Sequence, residues 1–513
     1  MKNRSIEHRA LKNTAVGALS FIVSMCQTIV LVPILLKYWG TTNYGLWLIL
    51  MAGFNLLQTL DLGHQNYIGC QLNVQFHTNL QQSRRTLGSS LLIAYLLGLV
   101  EMCISLLLIF SGKIALFLNV SPQVVAENHL ALGLFLLMSM WLVFGSVGGL
   151  VVRVMIPGGM LYESQWLGIA LRFAQFLSIV IVAISGGSLL AACLTFAIIQ
   201  SLLALFSFWY IKRELPQFYP WWELASWRDG LRGLQKSLVL TFNSIGQQFA
   251  NNGLVILISM LFTAAVIPSF TTLRTLTNTA GTVTSIFIMA LSPDMIRFHA
   301  FRETEKLDSI FNANWFISGL CVNFGIILVL PVIETVYRFW TKGLLAFNPA
   351  LFLMLIVAIS LTNFGAGLTM YLQGINDLRS QTVITLTRTG VLFLAGYGLS
   401  DYYGILSIGI GCVLAELFAS VALPVFFVTK QLSELSTHLS PRHVTLAAMP
   451  PVLLVLTGSV IMLNQMDLEV ITLVLMPVLV VVYCVNWKML NMDVRVRISA
   501  LASSVFRKLT FGF

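Results

Sequence analysis

Apolar residues along this chain come in runs of about 20 separated by short polar punctuation, the length an α-helix needs to cross the ~30 Å hydrocarbon layer of a bilayer. Runs of spanning length fall at about 14–36, 44–62, 87–110, 130–152, 164–185 and 189–211. The stretch 212–236 then breaks the pattern with charges, two prolines and the aromatics Trp221, Trp222 and Trp227. Further runs follow at about 237–262, 266–291, 312–333, 349–373, 381–399, 404–429, 446–463 and 468–487. The pattern predicts an all-α polytopic membrane protein of about 14 transmembrane helices. It divides as a six-helix lobe over 1–211, a cytoplasmic linker over 212–236, a second six-helix lobe over 237–429, and an extra helix pair with a basic tail over 430–513. Sliding the sequence on itself by 223 residues lays Gly40 on Thr263, Tyr44 on Ile267 and Trp47 on Phe270, so a hairpin at 31–63 overlies one at 255–287.

Composition agrees with a lipid environment: 57% of residues are hydrophobic and 10% charged, against roughly 25% charged in soluble domains. The net charge of +10 would suggest nucleic acid, but its placement along the chain gives it another meaning. Of the 30 Lys and Arg, 23 fall on one side of the expected spans, four (Lys37, Lys113, Arg338, Lys342) on the other, and three inside spans. That asymmetry puts both termini in the cytoplasm and makes the positive charge a topology signal and a contact for anionic lipid, with no nucleic-acid partner. The seven cysteines are scattered without a CxxC pair and read as small buried hydrophobes. The seven histidines are expected in tails or loops, which leaves no metal site. No Walker A, HExxH or nucleophile-elbow motif occurs and no loop is long enough for a folded catalytic domain, so the chain is expected not to be an enzyme.

The hairpin 31–63, LVPILLKYWGTTNYGLWLILMAGFNLLQTLDLG, is the most informative local pattern. Pro33 lies inside the first apolar run, Gly40 follows the aromatic pair Tyr38-Trp39, Tyr44-Gly45-Leu46-Trp47 opens the second run, and Asp61-Leu62-Gly63 closes it. This pattern resembles the opening of Wzx-type polysaccharide or O-antigen flippases of the multidrug/oligosaccharidyl-lipid/polysaccharide exporter superfamily. The resemblance implies two lobes in which spans 1, 2, 7 and 8 line a central cavity. It also implies transport of undecaprenyl-diphosphate-linked oligosaccharide from the inner to the outer leaflet of a bacterial cytoplasmic (inner) membrane by alternating access. Lipid-linked oligosaccharide, membrane lipids and other polysaccharide-assembly membrane proteins would be its partners.

Ionisable residues inside spans are costly in lipid and default to functional candidates. Arg172, Arg274 and Arg388 could bind a diphosphate, because guanidinium forks match phosphate oxygens and stay charged. Arg274 leads, lying in SFTTLRTLTNTAGT, whose Ser, Thr and Asn give a helix a polar face. The competing reading pairs each arginine with Glu101 or Glu416, or lets the shallower two snorkel. Asn243, Gln247 and Asn251, spaced by four in span seven, share a face suited to sugar hydroxyls or to interhelical amide bonds. Glu101 and Glu416 are candidate sites for an ion or a proton, and so is Asp61, which also reads as an interfacial helix cap. No cofactor is expected beyond coupling to Na+, H+ or the membrane potential. The alternatives are a cation-coupled multidrug exporter of the same superfamily, disfavoured by the lack of an acid in span one, and a membrane-embedded polysaccharide polymerase or ligase, disfavoured by the short outer loops.

Overall fold

The computed structural model describes residues 6–435, 439–464, 468–490, 492, 495, 496 and 499. The remainder of the expected basic tail, with His438, lies outside the described residues. Among the described residues the protein is all-helical. Two compact units are present: one comprises Met1–Phe270 with Arg338–Ala346, the other Thr271–Tyr337 with Phe347–Phe513. The sequence-derived boundaries at 211 and 236 both fall inside the first unit.

In the first unit, α1 (Ile6–Leu57) holds two successive spans, with Gly40 at φ 70°, ψ 179° making the turn between them. A side chain there would be strained, which accounts for glycine after the aromatic pair. Helix α2 (Thr59–Thr78) continues the second span. It is followed by α3 (Leu80–Phe110), the short α4 (Ile114–Leu118) and α5 (Pro122–Glu127), then α6 (Leu130–Met140) and α7 (Ser146–Arg153) joined by a π-helical turn at Trp141–Gly145. Helices α8 (Leu161–Ile184) and α9 (Leu189–Glu214) complete the first series. Helix α10 (Trp227–Gln248) then leads through a second π turn, Phe249–Gly253, into α11 (Leu254–Leu261).

Helix α12 (Val266–Ala300) carries the chain into the second unit. From there α13 (Thr304–Val329), α14 (Ile333–Trp340), whose last residues from Arg338 belong to the first unit, α15 (Pro349–Gly374), α16 (Leu378–Gly398), α17 (Ser400–Tyr403) and α18 (Leu406–Glu416) precede a third π turn at Leu417–Ala422. The last described helices are α19 (Leu423–Ser433), α20 (Pro441–Asn464) and α21 (Leu468–Met489). Eight of the described helices are long and apolar enough to cross a membrane, fewer than the 14 expected. Helices α10, α12 and α16 occupy expected span positions but are diluted by the span-seven amides, the Ser/Thr/Asn run around Arg274, and Arg379 with Arg388.

The second apolar run does not end at 62. Helicity continues to Thr78 although hydropathy falls, because this segment packs against protein: Ile68 and Leu72 enter the core of the first unit, and His64 and Gln65 are buried. His64 therefore sits in a helix, contrary to the loop expected for it, with Nδ1 3.1 Å from Ser237 Oγ on α10. Helix α2 lies along α10 at close range. A Cβ on Gly63 would fall 2.2 Å from Thr241 Cα, so only glycine permits this approach. Trp221 of the linker is buried in the same core, with Leu87, Leu150 and Phe218, so the linker is docked onto the unit. In the second unit Trp315 stacks on Phe364 at 5.5 Å and donates to its carbonyl at 2.9 Å.

Candidate functional site

The first unit holds a buried acidic pair. Asp61, on the first turn of α2, and Glu101, on α3, are both 0% exposed. The Asp61 backbone N–H donates to Glu101 Oε1 at 3.3 Å, and Trp141 Nε1 donates to Glu101 Oε2 at 3.0 Å. Gln65, one helical turn beyond Asp61, donates from Nε2 to Asp61 Oδ1 at 2.7 Å, and the Ser146 hydroxyl lies close to the same carboxylate. Neither carboxylate forms an ion pair among the described residues. At 1.5 Å per residue Glu101 lies about 14 Å from the end of α3 and Trp141 about 16 Å from the start of α6. Both registers place the pair near half the ~30 Å hydrocarbon depth. Asp61 is thereby held against Glu101, well inside the length of α3.

The neighbouring helix is shaped to seat the partners of these acids. A Cβ on Gly145 would lie 2.1 Å from the Trp141 ring, and one on Gly149 would lie 2.2 Å from Gln65 Oε1. Both positions must be glycine for the indole and the amide to reach the carboxylates. The π turn at Trp141–Gly145 adds a residue to this stretch, a feature that often marks functional sites. Gln65 and Trp141 also line a cavity of about 370 Å³ that runs among α7, α8 and α9, with Arg153, Gln200 and Ser207 in its wall. Arg153 Nη2 donates to Asn66 Oδ1 at 2.7 Å. The acids thus lie behind a two-residue wall at the edge of a partly polar cavity.

The second unit holds the opposite charge balance. Arg388 on α16 faces Glu416 at the end of α18, with Nε 2.9 Å from Oε1 and Nη2 donating to Oε2 at 3.0 Å. Ser420, in the π turn that follows, accepts from Arg388 Nη2 at 3.0 Å and donates to Glu416 Oε2. Arg274 on α12 lies within electrostatic reach of the same glutamate and of Cys412. Arg388 is thus the guanidinium that Glu416 holds, and Arg274 adds a second positive charge to its surroundings.

The other sequence candidates lie apart from these clusters. Arg172, exposed on α8, donates to Ser20 Oγ on α1. Gln247 and Asn251 are exposed and Asn243 is half-buried. Their neighbours Gln248 and Asn252 turn inward, where Asn252 accepts from Asn55 of α1 at 3.4 Å. Sequence reasoning did not find Gln65, Trp141, Gly145 or Gly149. The four-residue spacing of Asp61 and Gln65 was the available signal for the first.

No family model matches the sequence, and no curated protein matches it. Solved structures do share the fold. A multidrug resistance MATE family transporter of the MOP superfamily, in an inward-facing conformation, superposes with a TM-score of 0.59 at 14% identity, covering 83% of this chain and 99% of that one. The MATE multidrug transporter DinF-BH gives 0.60 at 13% identity over 83% and 96%. A MATE structure in complex with MaD3S gives 0.57 at 15% over 83% and 97%. At such identities the likeness establishes the fold, that of MATE-like membrane transporters.

Proposed function

Starting from a fold shared with MATE transporters of the MOP superfamily, we propose that this chain exports an anionic lipid-linked oligosaccharide by alternating access, carrying undecaprenyl-diphosphate-linked sugar from the inner to the outer leaflet of a bacterial cytoplasmic membrane. The observation that carries this reading is the Arg388–Glu416 pair of the second unit with Arg274 within electrostatic reach of the same carboxylate, two cations for one acid. Glu416 orients Arg388, and the cluster as a whole favours an anion such as a diphosphate, which guanidinium groups grip through paired N–H···O bonds. Exposed amides at Gln247 and Asn251 suit sugar hydroxyls. Moving two negative charges outward across ~150 mV, inside negative, is favourable by roughly 7 kcal/mol at ~2.3 kcal/mol per charge per 100 mV. The membrane potential can therefore drive export. Asp61 and Glu101, two buried carboxylates side by side, supply a site for a coupling cation, Na+ or H+.

The same acidic pair favours a second reading, a cation-coupled multidrug exporter. The lack of an acid in span one does not exclude it, because spans two and three bring two acids into the first unit. The Arg274→Ala variant separates the readings. Under the main reading the variant reaches the membrane but leaves lipid-linked oligosaccharide on the cytoplasmic side. Normal surface polysaccharide in that variant would refute the phosphate role, and drug resistance on overexpression with surface glycans unaffected by deletion would establish the second reading.

A further inference from the structure

The first unit carries a groove, distinct from both charge clusters, that its chemistry fits to a lipid tail. It encloses about 490 Å³ and is lined by Leu92, Leu96 and Leu99 of α3, Phe208 of α9, and the linker aromatics Trp222 and Trp227. From Gly88 to Leu99 it follows α3 for roughly 17 Å, close to the depth of one leaflet of a ~30 Å hydrocarbon layer. Its end at Trp222 and Trp227, 60% and 54% exposed, lies on the side that the Lys/Arg distribution assigns to the cytoplasm, where indoles favour the headgroup region.

Charge at this end is unbalanced. The five basic residues of 212–236, with Arg84 and Arg85, outnumber the three acids of that segment, Glu214, Glu223 and Asp229. Arg84 takes Glu223, Arg85 and Arg232 share Asp229, and Arg213 lies 3.8 Å from Glu214. Arg228, next to Trp227, and Lys236, both exposed, form no ion pair among the described residues. A one-leaflet apolar slot ending at interfacial indoles and uncommitted cations matches a lipid with a tail of ordinary length and an anionic head. We propose that the groove binds one acyl chain of an anionic phospholipid of the cytoplasmic leaflet, whose phosphate is drawn to Arg228 beside Trp227 within a basic field to which Lys236 adds. A polyprenyl chain is several times longer than the groove.

The test is native mass spectrometry of the full-length protein released from detergent after equilibration with equal amounts of dioleoyl-phosphatidylglycerol and dioleoyl-phosphatidylcholine. The expected result is retention of one phosphatidylglycerol, favoured about fivefold or more. Arg228→Gln with Lys236→Gln should abolish that preference while tails still bind. Leu96→Trp, or Leu99→Trp if the first fails to fold, should fill the groove and lose both lipids, whereas Leu107→Trp, outside the groove on the same helix, should keep them. Equal retention of the two lipids by the unaltered protein overturns the proposal. So does undiminished retention by a folded groove-filling variant. Displacement of phosphatidylglycerol by equimolar undecaprenyl phosphate would assign the groove to a polyprenyl lipid and also overturn it.

Discussion

Removing one partner of the Arg388–Glu416 pair should cost far more than removing both. The pair is largely shielded, its side chains 27% and 16% exposed, with two close N···O approaches of 2.9 and 3.0 Å. Exposed ion pairs contribute about 0.2–1 kcal/mol, whereas breaking a fully buried one costs about 3–5 kcal/mol. At this intermediate exposure Glu416→Ala should destabilise by about 2–3 kcal/mol, because Arg388 is then left with Ser420 as its hydrogen-bond partner among those described. Arg388→Met should cost a similar amount by leaving the glutamate short of its cation. The double variant Arg388→Met/Glu416→Leu removes both members of the pair and should lie close to the unaltered protein, so the two single losses, about 4–6 kcal/mol together, should fail to add. For a unit of this size a loss of about 2–3 kcal/mol corresponds to a fall of about 4–12 °C in Tm for each single variant. Thermal unfolding of the purified protein, followed by tryptophan fluorescence to which buried Trp315 of the same unit contributes, measures it. Single-variant losses that simply add in the double variant would refute the reasoning: Arg388 would then not be held by Glu416, and both arginines would be equivalent candidates for substrate.

Glu101→Gln keeps the side-chain shape and removes the charge, so it should leave folding intact and abolish cation-driven transport in proteoliposomes; full transport would exclude the acidic pair from coupling. Gly63→Ala should destabilise the first unit by about 1–3 kcal/mol, since its Cβ would meet the Thr241 backbone at 2.2 Å; an unchanged Tm would show that α2 and α10 are free to separate. His299 lies past the apolar part of α12, with Nδ1 2.7 Å from the Tyr371 hydroxyl, and burial holds its pKa below the ordinary 6.5. A depressed histidine takes up its proton more readily in the unfolded chain, so stability should fall as pH drops through about 6.5. His299→Gln should shrink the decline in Tm between about pH 7.5 and 5.5, and an identical decline in both proteins would count against this origin.

The periodicity of apolar runs was enough to give an all-α membrane protein and to put helices at the expected span positions, because a bilayer demands about 20 apolar residues per helix and leaves no other way to satisfy the backbone. The pattern misled where protein replaced lipid as the neighbour. Asp61-Leu62-Gly63 reads as a polar stop, yet the helix runs on because Asp61, His64 and Gln65 meet partners on α3, α10 and α7. The sequence likewise named Asp61, Glu101, Arg388 and Glu416 as singular residues, since each is expensive in lipid wherever it points. Which of them meet is a property of tertiary packing alone: Asp61 and Glu101 are 40 residues apart, Arg388 and Glu416 are 28 apart, and no local spacing links them. Only the fold gathers the acids in the first unit and the arginines in the second, and only it explains why Gly145 and Gly149 have no side chain, a choice made by the Trp141 ring and the Gln65 amide that occupy the space.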